Sequence, residues 1–291
     1  MNKCSKMAAL ALGAGVLFAS VFTSCHKVSN DKEILVVSFG TSYNSSRDLT
    51  IGGIENAIAK ANPDYKVARA FTADTIINIL KERENLSIDN VDEALERASN
   101  EGIKTLVVQP THLMNGFEYT DLQKTLAKYE SKFDKVVLSK PLLSSDEDFS
   151  AVADAIAAKT KQFDNGETAV CFMGHGTEAE SNAVYAKMQE VLSSKGFANY
   201  YIGTVEATPS VEDVLKAVQE KGSYKKVVLL PLMVVAGDHA NNDMAGDEDD
   251  SWKSIFKAAG FEVECVLEGL GQDETIQQIY VAHTKAAIES L

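Results

Sequence analysis

Two histidines and a glutamate sit where a folded chain could turn all three onto one cation. They are His175 in Met173-Gly174-His175-Gly176-Thr177, Glu206 directly after Tyr200–Val205, and His239 in Ala236-Gly237-Asp238-His239-Ala240. Two neutral imidazoles and a carboxylate suit late first-row divalent cations such as Co2+, Ni2+, Fe2+ or Zn2+. Glycines on both sides of His175 allow a sharp turn and leave the ring unobstructed. Each residue alone has an ordinary explanation, as a solvated or core histidine or a helix-capping acid. Position changes that: each follows a short apolar run, and the chain has only five histidines. His112, in Pro110-Thr111-His112-Leu113, is a further candidate for a polar contact or a proton carrier. His26 and His283 are assigned no chemistry. Asp243 and the run Asp247-Glu248-Asp249-Asp250 read as acids at a helix N-terminus, where the backbone dipole favours them; they would also concentrate cations near the site. Thr177 and Glu180 fit a capping box that starts a helix just past His175, and Pro209 reads as opening the helix after Glu206.

The elements that must carry these residues are legible as short apolar runs alternating with amphipathic stretches. The strand candidates are Ile34–Phe39, Lys66–Phe71, Thr105–Gln109, Lys135–Leu138, Ala169–Phe172, Tyr200–Val205, Val227–Pro231 and Glu262–Leu267. Helical stretches lie between them, among them Asp48–Lys60, Val91–Asn100, Asp121–Glu130, Asp148–Lys161, Glu180–Ser194, Trp252–Ala259 and Asp273–Leu291. In another, Val211–Glu220, the apolar residues Val211, Val214, Leu215 and Val218 mark one helix face. Runs such as Val227-Val228-Leu229-Leu230 are apolar throughout, as strands buried on both faces are. Alternating strand and helix predicts an α/β fold with parallel sheets flanked by helices, the ligand site lying past the strand C-termini. The pattern also repeats. Val37–Thr41 aligns with Phe172–Thr177, Ala70–Ala73 with Thr204–Ala207, and Val107–Pro110 plus Gly116 with Val228–Pro231 plus Gly237. Two similar Rossmann- or flavodoxin-like domains follow, covering residues 33–143 and 144–291, with the active-site cleft between them.

Composition bounds the partners. Of 291 residues, 28 are Lys or Arg and 42 Asp or Glu, a formal charge of −14 that argues against a nucleic-acid partner. The charge is uneven, because residues 1–24 hold Lys3, Lys6 and no acid. The apolar run Met7–Val21 is short for a membrane span and fits the core of a signal peptide. Phe22-Thr23-Ser24-Cys25 then resembles a bacterial lipoprotein box, with Cys25 lipidated and residues 25–32 forming a tether. Losing residues 1–24 takes the charge from −14 to −16. The expectation is an exported, periplasmic protein attached to a membrane only through its N-terminal lipid; assembly as a homo-oligomer stays open. Cys171 and Cys265 lie in apolar runs and read as free buried thiols. No phosphate loop, GxSxG or HExxH motif is present, so nucleotide-dependent chemistry has no support.

Four segments carry a resemblance: Ile34–Ser42, Gly174-His175-Gly176-Thr177, Val205-Glu206, and Leu230–Met244 with its Ala-Gly-Asp-His-Ala-Asn-Asn-Asp-Met string. They look like the anaerobic sirohydrochlorin cobaltochelatase family, class II chelatases that share a two-domain α/β fold with ferrochelatase. The resemblance runs from about Ile34 to the C-terminus. It implies ATP-independent insertion of Co2+, or Fe2+, into sirohydrochlorin in cobalamin-type tetrapyrrole biosynthesis, with the metal as substrate and no prosthetic group. His175, Glu206 and His239 match the metal-site residues, with one of the two histidines taking up a proton. His112 and Glu118 match a cleft segment, and Ser38 and Thr41 are assigned to substrate at the first copy's strand end. The N-terminal export segment departs from typical cytoplasmic members. It favours an alternative, an exported haem- or metal-binding protein for uptake or storage on a chelatase scaffold. Because sirohydrochlorin is an octacarboxylate, the cleft is expected to be locally basic, with Arg47, Arg69 and first-domain lysines as candidates.

Overall fold

The computed structural model describes residues 30–291; the expected signal segment and lipidated Cys25 lie outside the described residues. Continuous apolar runs become the central strands, which bury both faces, while outer strands such as Lys135–Leu138 and Glu262–Cys265 stay half-exposed. The first sheet comprises β1 (Lys32–Ser38), β2 (Lys66–Phe71), β3 (Thr105–Pro110) and β4 (Lys135–Leu138), all parallel, in the order β2-β1-β3-β4. The second comprises β5 (Thr168–Gly174), β6 (Tyr200–Thr204), β7 (Lys226–Pro231) and β8 (Glu262–Cys265), parallel in the order β6-β5-β7-β8. The two orders are the same permutation, and the register matches: Val37 pairs with Pro110 as Met173 pairs with Pro231. The internal repeat is therefore a repeat of topology. β5 is buried along its whole length, as its run of Ala, Val, Cys, Phe and Met demands.

Among the described residues, ten α-helices flank the sheets. The first half carries α1 (Asn44–Leu49), α2 (Ile51–Ala61), α3 (Asp74–Glu84), α4 (Val91–Asn100) and α5 (Phe117–Tyr129). The second carries α6 (Asp146–Thr160), α7 (Ala183–Ser194), α8 (Val211–Lys221), α9 (Trp252–Ala258) and α10 (Glu274–Glu289). None of the helices among the described residues is long and apolar enough to cross a membrane. Helix starts are chemically marked: Asn90, Ser145 and Ser210 each complete a capping box with the residue three further on.

Two local expectations are corrected, and one helix adds to those expected. The Thr177–Glu180 capping box does not form: Glu180–Asn182 is a 3-10 turn and α7 starts at Ala183. The Thr177 hydroxyl instead accepts from Ala179 N, a side-chain turn that outcompetes the helix. Pro209 does not open α8, because Ser210 is its N-cap and the helix begins at Val211. The helix α3 was not anticipated, since its four Ile/Leu side chains form no clean stripe and only Leu80 is buried.

One apolar cluster spans the two halves, beside separate clusters within each. Ile54 and Val107 cluster with Phe172, Leu230 and Ile276. α10 crosses back to the first sheet, where the Tyr280 hydroxyl donates to Thr111 O (2.8 Å) and the Thr284 hydroxyl to Gln109 Oε1 (2.9 Å), both buried. Cys171 is buried and Cys265 half-buried, both as free thiols in one cluster, and burial raises both thiol pKa values.

Candidate metal centre

The C-terminal strand edges of the two sheets face each other across a cleft of about 470 Å³, lined by both halves. From the second sheet, the loop after β5 brings His175, the loop after β6 brings Glu206, and the loop after β7 brings His239. Their donor atoms all lie within 4.8 Å of one another. The imidazole rings meet edge to face at 4.7 Å between centroids, and His175 Nδ1 is 3.8 Å from Glu206 Oε2.

The backbone fixes this convergence. Glu206 N donates to His175 O (2.9 Å) and Val205 N to Gly174 O (3.0 Å), so the β5 and β6 loops leave the sheet together. Gly176 has φ +88°, and a Cβ there would lie 2.8 Å from Ala207 N; the close approach of these loops needs glycine. At Gly174 a Cβ would run into the Tyr185 ring, whose hydroxyl accepts from Gly176 N (3.2 Å).

Hydrogen bonds also set the tautomers. His239 Nδ1 is 2.8 Å from Asp243 Oδ2, and His175 Nδ1 is 2.8 Å from Gly176 O. Carboxylates and carbonyls only accept, so both protons sit on Nδ1 and each Nε2 lone pair is free for a cation. Asp243 thus has a role that sequence reasoning missed. It does not belong with the acidic run before α9: a π-helical turn at Ala240–Met244 swings it onto His239. The signal available was its spacing of four residues from His239.

The first sheet supplies the opposite wall. His112 is 8% exposed and lines the cleft, with neither ring nitrogen hydrogen-bonded. Burial alone pushes its pKa down to about 4. Glu118, in the first turn of α5, is 3.9 Å from His112 Nε2. Its pKa is raised by loss of solvent, with His175 opposing. Ser38 and Thr41 line the cleft but are buried, and both already serve the chain: Ser38 Oγ accepts from the Thr111 hydroxyl and Thr41 Oγ1 from Tyr43 N. His283 lies away from the cleft, with Nε2 3.0 Å from Asp148 Oδ1.

The expected basic cleft is absent. Among the described residues no lysine or arginine lines it. Arg69 is held by both carboxylate oxygens of Glu55 (2.7 and 2.6 Å). Arg47 is 6% exposed and paired with Glu84 at 3.3 Å. Ion pairing within the first half has consumed both arginines.

Residues 32–289 match the family described as cobalt chelatase (CbiK). A sirohydrochlorin cobaltochelatase of Salmonella typhimurium is 36% identical over 257 residues, which is 88% of this chain and 96% of that protein. The sirohydrochlorin cobaltochelatase CbiKC of Nitratidesulfovibrio vulgaris is 30% identical, over 91% of this chain and 94% of its own. In fold, the chain is similar to the sirohydrochlorin chelatase SirB of Bacillus subtilis subspecies spizizenii, solved in complex with cobalt. That likeness has a TM-score of 0.61 and 14% identity, covering 89% of this chain and 96% of the other.

Proposed function

The chain belongs to the cobalt chelatase (CbiK) family, and we propose that it inserts Co2+ into sirohydrochlorin without nucleotide, using His175, Glu206 and His239 to hold the metal. The observation that carries this reading is the convergence of the three donors at one point of a cleft wide enough for a flat macrocycle. Both imidazoles are oriented through Nδ1, so they present neutral Nε2 donors and strip part of the cation's water shell. The metal is substrate here, and Glu206 offsets part of its charge. Insertion also releases two pyrrole protons. On the facing wall Glu118, with its raised pKa, is a better proton acceptor than an ordinary carboxylate and stands half in solvent. His112 stays neutral beside it, its two ring nitrogens buried and unpaired within the cleft wall. Iron accepts the same donor set, so Fe2+ belongs in the same assay.

We further propose export and lipid anchoring at Cys25, on the strength of the charge and hydropathy of residues 1–25. A second reading, an exported haem- or metal-binding protein for uptake or storage, is favoured by that same segment. The two readings part in a turnover assay of the purified full-length chain with Co2+ or Fe2+ and sirohydrochlorin. Multiple turnovers are expected from the wild type, with a loss of at least 100-fold in His175→Ala and His239→Ala that remain folded. Stoichiometric tetrapyrrole binding without turnover would decide for the binding protein.

A further inference from the structure

The charge of the cleft points to a second class of substrate. Exposed Phe39 and Phe117 face it from the first half, joined by Ile76 and Met114. Every charged lining side chain is acidic apart from the histidines: Glu118, Glu178, Glu206 and Asp238. At the rim, Arg83 donates to Ser42 O and is itself paired with Glu84. Sites built for polycarboxylates supply arginine forks or lysines, because a carboxylate losing water without a partner is strongly penalised. Here each carboxylate carried inward would meet like charge in a medium less screening than bulk water. The apolar walls, in contrast, reward burial of macrocycle surface.

Resting on the chelatase reading above, we propose that the same site also metallates sparsely carboxylated tetrapyrroles, those with two carboxylates gathered on one edge that stays at the mouth while the apolar remainder enters. The reaction balances without a redox partner. Two pyrrole N–H bonds break, four metal–nitrogen bonds form, the metal keeps its oxidation state and two protons leave, one by way of Glu118. Glu178, an exposed acid of the lining, enters as a charge of the wrong sign for an octacarboxylate.

The test is Co2+ insertion by the purified full-length chain into mesoporphyrin, a dicarboxylate, and into sirohydrochlorin, at low and at high salt. Mesoporphyrin is expected to be metallated with kcat/KM equal to or above that for sirohydrochlorin, and to lose that activity in His175→Ala. Added salt should raise the sirohydrochlorin kcat/KM several-fold and move the mesoporphyrin value less than twofold. Glu178→Lys should raise the sirohydrochlorin value several-fold with little change for mesoporphyrin. Sirohydrochlorin turnover with no mesoporphyrin turnover would overturn this inference and leave the chelatase reading standing, as would equal effects of Glu178→Lys on both. Failure of both macrocycles would overturn the chelatase reading and this inference with it.

Discussion

At the scale of single residues, the site is a set of donors whose protons have been placed by their neighbours. Asp243 anchors His239 by a charged acceptor, whereas His175 leans on a backbone carbonyl. Removing the charge from that anchor while keeping an acceptor, as in Asp243→Asn, should weaken Co2+ binding about 10- to 100-fold. The change is read by titrating the cobalt absorption bands, with the KM for tetrapyrrole unchanged. His112 gives a second expectation, in stability. Its pKa is about 4 in the folded chain against an ordinary 6.5, so the unfolded chain binds the proton first. The contribution is complete above pH 6.5 and is lost as pH falls toward 4, on the order of 3 kcal/mol in total. Urea unfolding at pH 7 and pH 4.5 should show His112→Gln less pH-sensitive than the wild type. Equal pH slopes would show that His112 is solvated. The three residues proposed to hold the metal do stand together, as their positions after apolar runs suggested. Asp243 was not legible in this way, because a helix-terminal acid and a histidine partner look alike until the π-helical turn is known.

At the scale of elements, strands β1 and β3 with their helices hold one wall of the cleft and β5, β6 and β7 the other. The connection between walls is α10, whose Tyr280 hydroxyl satisfies the Thr111 carbonyl next to His112. Tyr280→Phe should cost about 1–2 kcal/mol, since it leaves a buried carbonyl short of a donor. It should lower kcat more than Co2+ affinity, because all three residues proposed to hold the metal belong to the other sheet; a fall in affinity without one in kcat would contradict this. The central strands β1, β3, β5 and β7 were well marked in the sequence because their short apolar runs end at turn residues and are buried almost throughout. Helix starts were less so. Thr177-x-x-Glu180 satisfies the capping pattern, yet Thr177 turns its hydroxyl to Ala179 N. α3 escaped notice because a helix burying little more than Leu80 need not show a periodic stripe.

At the scale of the molecule, the repeat foretold the architecture: aligned strand ends in the sequence became two sheets of one permutation and one register. What it did not convey was electrostatics. An octacarboxylate substrate and nearness to the first-domain strand ends made Arg47 and Arg69 candidates for a basic cleft, but pairing choices are made in three dimensions, and Glu84 and Glu55 took them. The outcome is a cleft with apolar walls, the proposed cation site on one side and the proposed proton acceptor on the other. The most direct test of that account is anomalous diffraction at the cobalt edge from crystals of the chain soaked in Co2+. The account predicts a single strong peak bounded by His175, Glu206 and His239, absent from His239→Ala crystals treated alike. A stoichiometric cobalt peak elsewhere, with those three residues unchanged and empty, would contradict it.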